Sequence, residues 1–70
     1  MEIRYDKEAD AMYIKLDTGK FAKNKIIDDL TILDLDSNRN LLGIELLDVS
    51  KGFSKKSLQE IRVKNMVLVK

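Results

Sequence analysis

The amino-acid sequence predicts an α+β fold: a curved antiparallel β-sheet of four to five strands, made of two hairpins with four-residue loops and packed by one short C-terminal helix. Three observations carry this expectation. Two stretches alternate apolar and polar residues with period two on either side of polar turn residues. A serine-led segment at residues 54–62 spaces its apolar residues as a helix does. The chain has 70 residues, of which 44% are hydrophobic and 36% charged, which suits one domain, 1–70, and leaves no room for a second.

The first hairpin spans Ile3 to Leu16. Ile3 and Tyr5 alternate with Glu2 and Arg4, and Met12, Ile14 and Leu16 alternate with Ala11, Tyr13 and Lys15. A loop of Asp6, Lys7, Glu8 and Ala9 sets Tyr5 against Asp10 and Ile3 against Met12, so that the five apolar residues share a face. Asp6 then starts the turn, its carboxylate accepting from backbone N–H groups ahead of it. Asp17 to Asn24 reads as a connection. Strand character returns at Lys25 to Asp28, and a bulge or turn at Asp28 and Asp29 keeps Asp29 off the apolar side.

The second hairpin turns at Ser37, Asn38, Arg39 and Asn40. Leu35 opposes Leu42, Leu33 opposes Ile44 and Thr31 opposes Leu46, giving one apolar face. The other face carries Ile32, Leu30, Leu41 and Leu47, too apolar to be merely solvated. Ser54 is a good N-cap with Phe53 placed to staple onto Leu58, and Ser57 is a rival cap. The helix ends near Arg62. For residues 63–70 a final strand is favoured over continued helix on composition.

Cysteine and histidine are both absent. This excludes disulfides, thiolate and imidazole metal sites, cysteine nucleophiles and histidine-based triads. No apolar run reaches the roughly 20 residues that span a bilayer, and MEIRYDKEAD has charges where a secretory signal needs an apolar stretch. The expected location is the cytoplasm, with no membrane partner.

The run Tyr5-Asp6-Lys7-Glu8-Ala9-Asp10-Ala11-Met12-Tyr13-Ile14, with Asp34-Leu35-Asp36, Gly43-Ile44-Glu45-Leu46-Leu47-Asp48 and Ser50, resembles the small prokaryotic proteins of domain-of-unknown-function family 2283. The resemblance covers roughly Met1 to Ser50. Asn38-Arg39-Asn40 departs from the aspartate and glycine turn frequent in that family. The resemblance implies a compact, mostly β protein and brings no activity and no residue role with it.

Two carboxylate arrangements invite chemistry. Asp34, Asp36, Asn38 and Glu45 match positions 1, 3, 5 and 12 of a calcium loop, but Arg39 stands where that loop needs glycine and the flanks read as strands. These four are metal candidates only in this weak sense, and turn formation is the favoured account of them. An acid/base pair among Asp28, Asp29, Asp34, Asp36, Glu45 and Asp48 needs two differing environments, for which the sequence gives no sign. No catalytic residue and no cofactor is assigned.

Charge is divided along the chain. Residues 26–50 have six acids against Arg39 alone, a net −5, and residues 51–70 have six bases against Glu60 alone, a net +5. The basic part lacks an aromatic residue after Phe53 for bases to stack on, so nucleic acid is disfavoured as a partner and a solvated helix side is preferred.

The leading functional expectation is therefore a non-enzymatic interaction module, a homodimer that binds a protein partner. Its interaction surface is the outer set Tyr13, Leu30, Ile32, Leu41 and Leu47, left over once a helix has covered the other face. The alternative is a nucleic-acid-binding or antitoxin-like regulatory accessory protein. A carboxylate metal-dependent hydrolase is the weaker third reading.

Overall fold

The computed structural model describes residues 1–62. The chain forms strands β1 (Glu2–Asp6), β2 (Ala11–Lys15), β3 (Lys23–Asp28), β4 (Thr31–Leu35) and β5 (Leu41–Leu47), then helices α1 (Val49–Gly52) and α2 (Lys55–Gln59). The five strands make one antiparallel sheet in the order β1-β2-β5-β4-β3. The curved sheet with short C-terminal helices is the α+β architecture expected from the alternation. The expected strand at residues 63–70 lies outside the described residues.

Aspartate opens three of the turns in the same manner. Asp6 accepts from the backbone N–H groups of Glu8 and Ala9, Asp28 from that of Leu30, and Asp36 from those of Asn38 and Asn40. A short carboxylate bonding to the backbone two residues ahead sets the turn without help from distant parts of the chain.

The first hairpin is displaced from its expected register. Tyr5 pairs with Met12 and Ile3 with Ile14, so the loop is residues 7–10, not 6–9, and ends at Asp10. Asp10 takes the left-handed region at φ 52, which aspartate tolerates better than most residues. The shift is two residues, so every side chain keeps its expected face.

In the second hairpin Thr31 meets Leu46 and Leu33 meets Ile44, as the alternation requires. A bulge beside the turn then sets Leu35 opposite Leu41 in place of Leu42. Arg39 closes the turn at φ 67, with its N–H donating to the Asp36 carbonyl at 3.1 Å. The expected irregularity around Asp28 is a bulge between Ile26 and Asp28 in the β3–β4 pairing.

Cross-strand registers define the two faces. On the inner face, Ile3, Ile14, Ile44 and Leu33 form one row, and Tyr5, Met12, Leu46 and Thr31 the next. On the outer face, Arg4, Tyr13, Glu45, Ile32 and Ile26 form a row.

Among the described residues, cover on the inner face lies at its ends. At one end the link between β2 and β3 crosses β5 and β4, and Gly19 comes so close to Leu42 that an added Cβ would lie 2.8 Å from Cδ2. At the other end Val49 is tucked in, 2% exposed. Leu35, Leu42 and Val49 are the buried apolar residues among those described.

The C-terminal segment is more broken than expected. Asp48, at φ 50, turns the chain out of β5 into α1. Ser54 caps α2 as predicted, accepting from the Ser57 N–H at 3.1 Å. The helix stops at Gln59 and not near Arg62, and it buries no residue. Five residues form little more than one turn, which needs an apolar stripe against a partner surface to persist. Leu58 is only partly covered and Phe53 and Ile61 are exposed.

Candidate interaction surface

Asp10 is the organising residue of one sheet end. Its carboxylate accepts from the Ser50 hydroxyl at 2.6 Å, the Ser50 N–H at 3.0 Å and the Tyr5 hydroxyl at 3.1 Å. Its carbonyl accepts from the Val49 N–H at 3.2 Å. One side chain thus joins the first hairpin to the start of α1. The Ser50 bonds hold the Asp10 carboxyl below its ordinary value, and partial desolvation followed by the Asp10 bond raises the Tyr5 phenol. Each hydroxyl donates and each is spoken for, so the cluster is a structural clasp, with no free base or nucleophile in it.

The outer face carries a polar band and an apolar end. Tyr13 lies across Gly43, where an added Cβ would come within 2.6 Å of Cζ. Desolvation there, and then the neighbouring Asp34 carboxylate, raises the Tyr13 phenol. Asp34 in turn accepts from Asn24 Nδ2 at 2.6 Å. Arg4, paired with Glu2, and Glu45 flank this band.

Toward α1 the same face becomes apolar. Ile32 and Ile26 are cross-strand neighbours, and the Leu47 N–H donates to the Leu30 carbonyl at 2.8 Å. Ile26 is 72% exposed and Leu30 49%. An open groove of about 320 Å³ wraps around this end of the sheet, from the outer Leu30 and Leu47 past the inner Thr31 and Leu46 to Val49 and Phe53.

Of the five residues expected to form a surface, Leu30, Ile32 and Leu47 come together and Tyr13 borders them. Leu41 does not join them, because it lies at the far end of β5, about 20 Å away at the strand rise of roughly 3.3 Å per residue. Ile26 was missed. The tandem Ile26-Ile27 hides its direction, and only the bulge at Ile27 places Ile26 beside Ile32.

The carboxylates are dispersed. Asp34 is on β4 bound to Asn24, Asp36 accepts from Asn38 and from both nitrogens of Asn40, and Glu45 lies on β5 across from Ile32. Among the described residues no three acidic side chains converge as a metal site. The ion pairs found among these residues are local, Glu2 with Arg4, Asp48 with Lys51 and Glu60 with Arg62. Lys55 and Lys56 project from α2 into solvent.

The fold and surface together define a small α+β domain that presents apolar sheet surface. The chain belongs to the family described as protein of unknown function DUF2283, which it matches over residues 2–50. No curated protein and no solved structure matches it. No helix among the described residues is long and apolar enough to cross a membrane.

Proposed function

We propose that this protein is a non-enzymatic interaction module, active in the cytoplasm as a homodimer that docks a protein partner, with residues 1–70 acting as one domain. One comparison carries the reading. Ile44, on the apolar side of the central strand, is only partly covered, as is Glu45 beside it on the opposite side. A filled core would seal Ile44 completely. Each aliphatic side chain moved fully out of water contributes about 1.5–3 kcal/mol, and a chain this short has few other sources of stability.

The outer apolar end, Ile26, Leu30, Ile32 and Leu47 with Tyr13 at its border, is the surface for the partner. Self-association, expected from the sequence on this outer side, is better served by the inner face, whose rows carry no charged side chain on β1, β2, β5 or β4. Light scattering of the full chain at micromolar concentration tests the reading. The expected mass is twice the 8.1 kDa of one chain, and a mass of 8.1 kDa at every concentration refutes the dimer.

A further inference from the structure

We infer that two copies of the chain associate inner face to inner face, forming a two-sheet sandwich about a twofold axis near β5. This rests on the homodimer proposed above and assigns its surface.

The first support is the composition of the two faces. The inner rows run through Ile3, Ile14, Ile44 and Leu33 and through Met12 and Leu46 without a charged side chain on β1, β2, β5 or β4. Charge enters at the margins, where Lys23, Lys25 and Asp28 of β3 pair with Leu35, Leu33 and Thr31 and Asp10 meets the Tyr5 hydroxyl. Lysine stems can lie on apolar surface while the ammonium stays in water. The outer face, by contrast, carries Arg4, Lys15, Asp34 and Glu45 through its middle. Burying those in a large contact requires partners for each. An uncharged centre with a charged rim is the make-up of obligate homodimer contacts, which resemble a domain core cut in half.

The second support is what the described residues provide as cover. Gly19 and its neighbours shield Leu42, and Val49 shields the opposite end. Helix α2 buries nothing, and neither short helix packs broadly on a strand. The segment shared with the family contains all five strands and ends at Ser50, before α2 begins. The inner face therefore belongs to the shared part of the chain, whereas residues 51–62, the nearest following cover, do not. A second copy is an occupant that any chain with this sheet has available.

The third support is area. The molecule is a slab 38 × 35 Å across and 17 Å thick. A face of that extent has room for the roughly 800 Å² per partner that a standard interface buries. Two sheets stack about 10 Å apart, so facing side chains of the two copies interdigitate.

The absence of cysteine from the sequence permits a direct test with single-cysteine variants of the full chain. Ile44→Cys and Glu45→Cys are adjacent on the central strand and point to opposite faces. Each is treated at low micromolar concentration with a short bismaleimide cross-linker, and its mass in solution is measured separately. The expected result is a dimeric mass for both, with covalent dimer from Ile44→Cys and none from Glu45→Cys. Met12→Cys, also on the inner face, replaces Ile44→Cys if the latter fails to fold, and is expected to cross-link equally. A dimeric protein with any other pattern overturns the inner-face assignment and leaves the homodimer standing. A monomeric mass for the wild-type chain overturns both.

Discussion

Ser50 donates its hydroxyl and its backbone N–H to the carboxylate of Asp10, forty residues earlier in the chain, at 2.6 and 3.0 Å. The two bonds fix where the chain leaves β5, and Val49, held between them and the Asp10 carbonyl, becomes the most deeply buried side chain at that end.

Asp10→Ala is expected to lower the melting temperature more than Asp10→Asn or Asp10→Gly. Alanine loses both the carboxylate and the tolerance of positive φ, asparagine keeps the backbone preference and part of the acceptor capacity, and glycine keeps only the conformation. Thermal melts of the three variants with Ser50→Ala separate the terms. Asp10→Ala and Ser50→Ala are expected to be non-additive, because both remove the bond from the Ser50 hydroxyl to the Asp10 carboxylate; full additivity contradicts the clasp.

Acid is expected to loosen the fold through two aspartates. Ser50 holds Asp10, and Asn40 holds Asp36, below the ordinary value of 3.8. The unfolded chain therefore takes up protons first, and the stabilisation from both groups is complete above 3.8 and disappears as pH falls through their folded values. Tyr5 and Tyr13 act in the opposite sense. Their phenols are raised above 10.0, so what they contribute is present below that value and lost as pH rises past it. Melting temperature against pH should fall on both limbs, and the Asp10→Asn, Asp36→Asn double variant should flatten the acid one.

Gly43→Ala is expected to cost about 1–3 kcal/mol, the usual range for forcing extra volume into an occupied site, because the new methyl meets the Tyr13 ring. In a Tyr13→Ala background most of that cost should vanish. Urea denaturation of the four members of this cycle measures the coupling. Equal costs in both backgrounds place the Tyr13 ring elsewhere.

Arg39→Gly is expected to stabilise the chain by up to about 1 kcal/mol, since a non-glycine residue in the left-handed region costs roughly that much more than glycine. The variant also gives the turn the glycine of a calcium loop. Calcium at low millimolar concentration should still leave its melting temperature unchanged, because Asp34 and Asp36 are committed to Asn24, Asn38 and Asn40. A calcium-dependent rise, lost in Asp34→Ala, contradicts this.

Leu47→Asp and Leu30→Asp put a charge into the outer apolar end and are expected to leave the dimeric mass unchanged while abolishing capture of the protein partner that wild type retains. Loss of the dimer in either variant moves the self-contact to the outer side.

Most of the sheet was legible because its signals are local. The period of two fixes faces, and polar runs such as Ser37-Asn38-Arg39-Asn40 fix turns, so the inner-face residues could be named from alternation alone. The hairpin shift at Asp10 was not legible, since the alternation of apolar and polar residues fits both registers, which differ by two residues and keep the same faces. Strand order was hidden as well, because alternation says which way a side chain points and nothing about which strand lies next. The helix was over-read at Ile61, whose spacing from Leu58 fits a helical stripe that has no surface to rest on. At the outer surface, Leu30, Ile32 and Leu47 could be grouped by pairing, whereas Ile26 depended on a bulge and Leu41 was included by chemistry without regard to distance.

The position of β5 between β2 and β4 has a consequence for how the molecule comes into being. During synthesis the hairpins β1–β2 and β3–β4 can form early, each from neighbouring residues, but they share no hydrogen bond until residues 41–47 are available. Of the described strands, β5 is the last to be made and the one that joins the two halves. A chain interrupted before Leu47 presents two unmatched strand edges at once, both ready to take up a strand from another molecule. The two hairpins become one sheet only through the seven residues of β5.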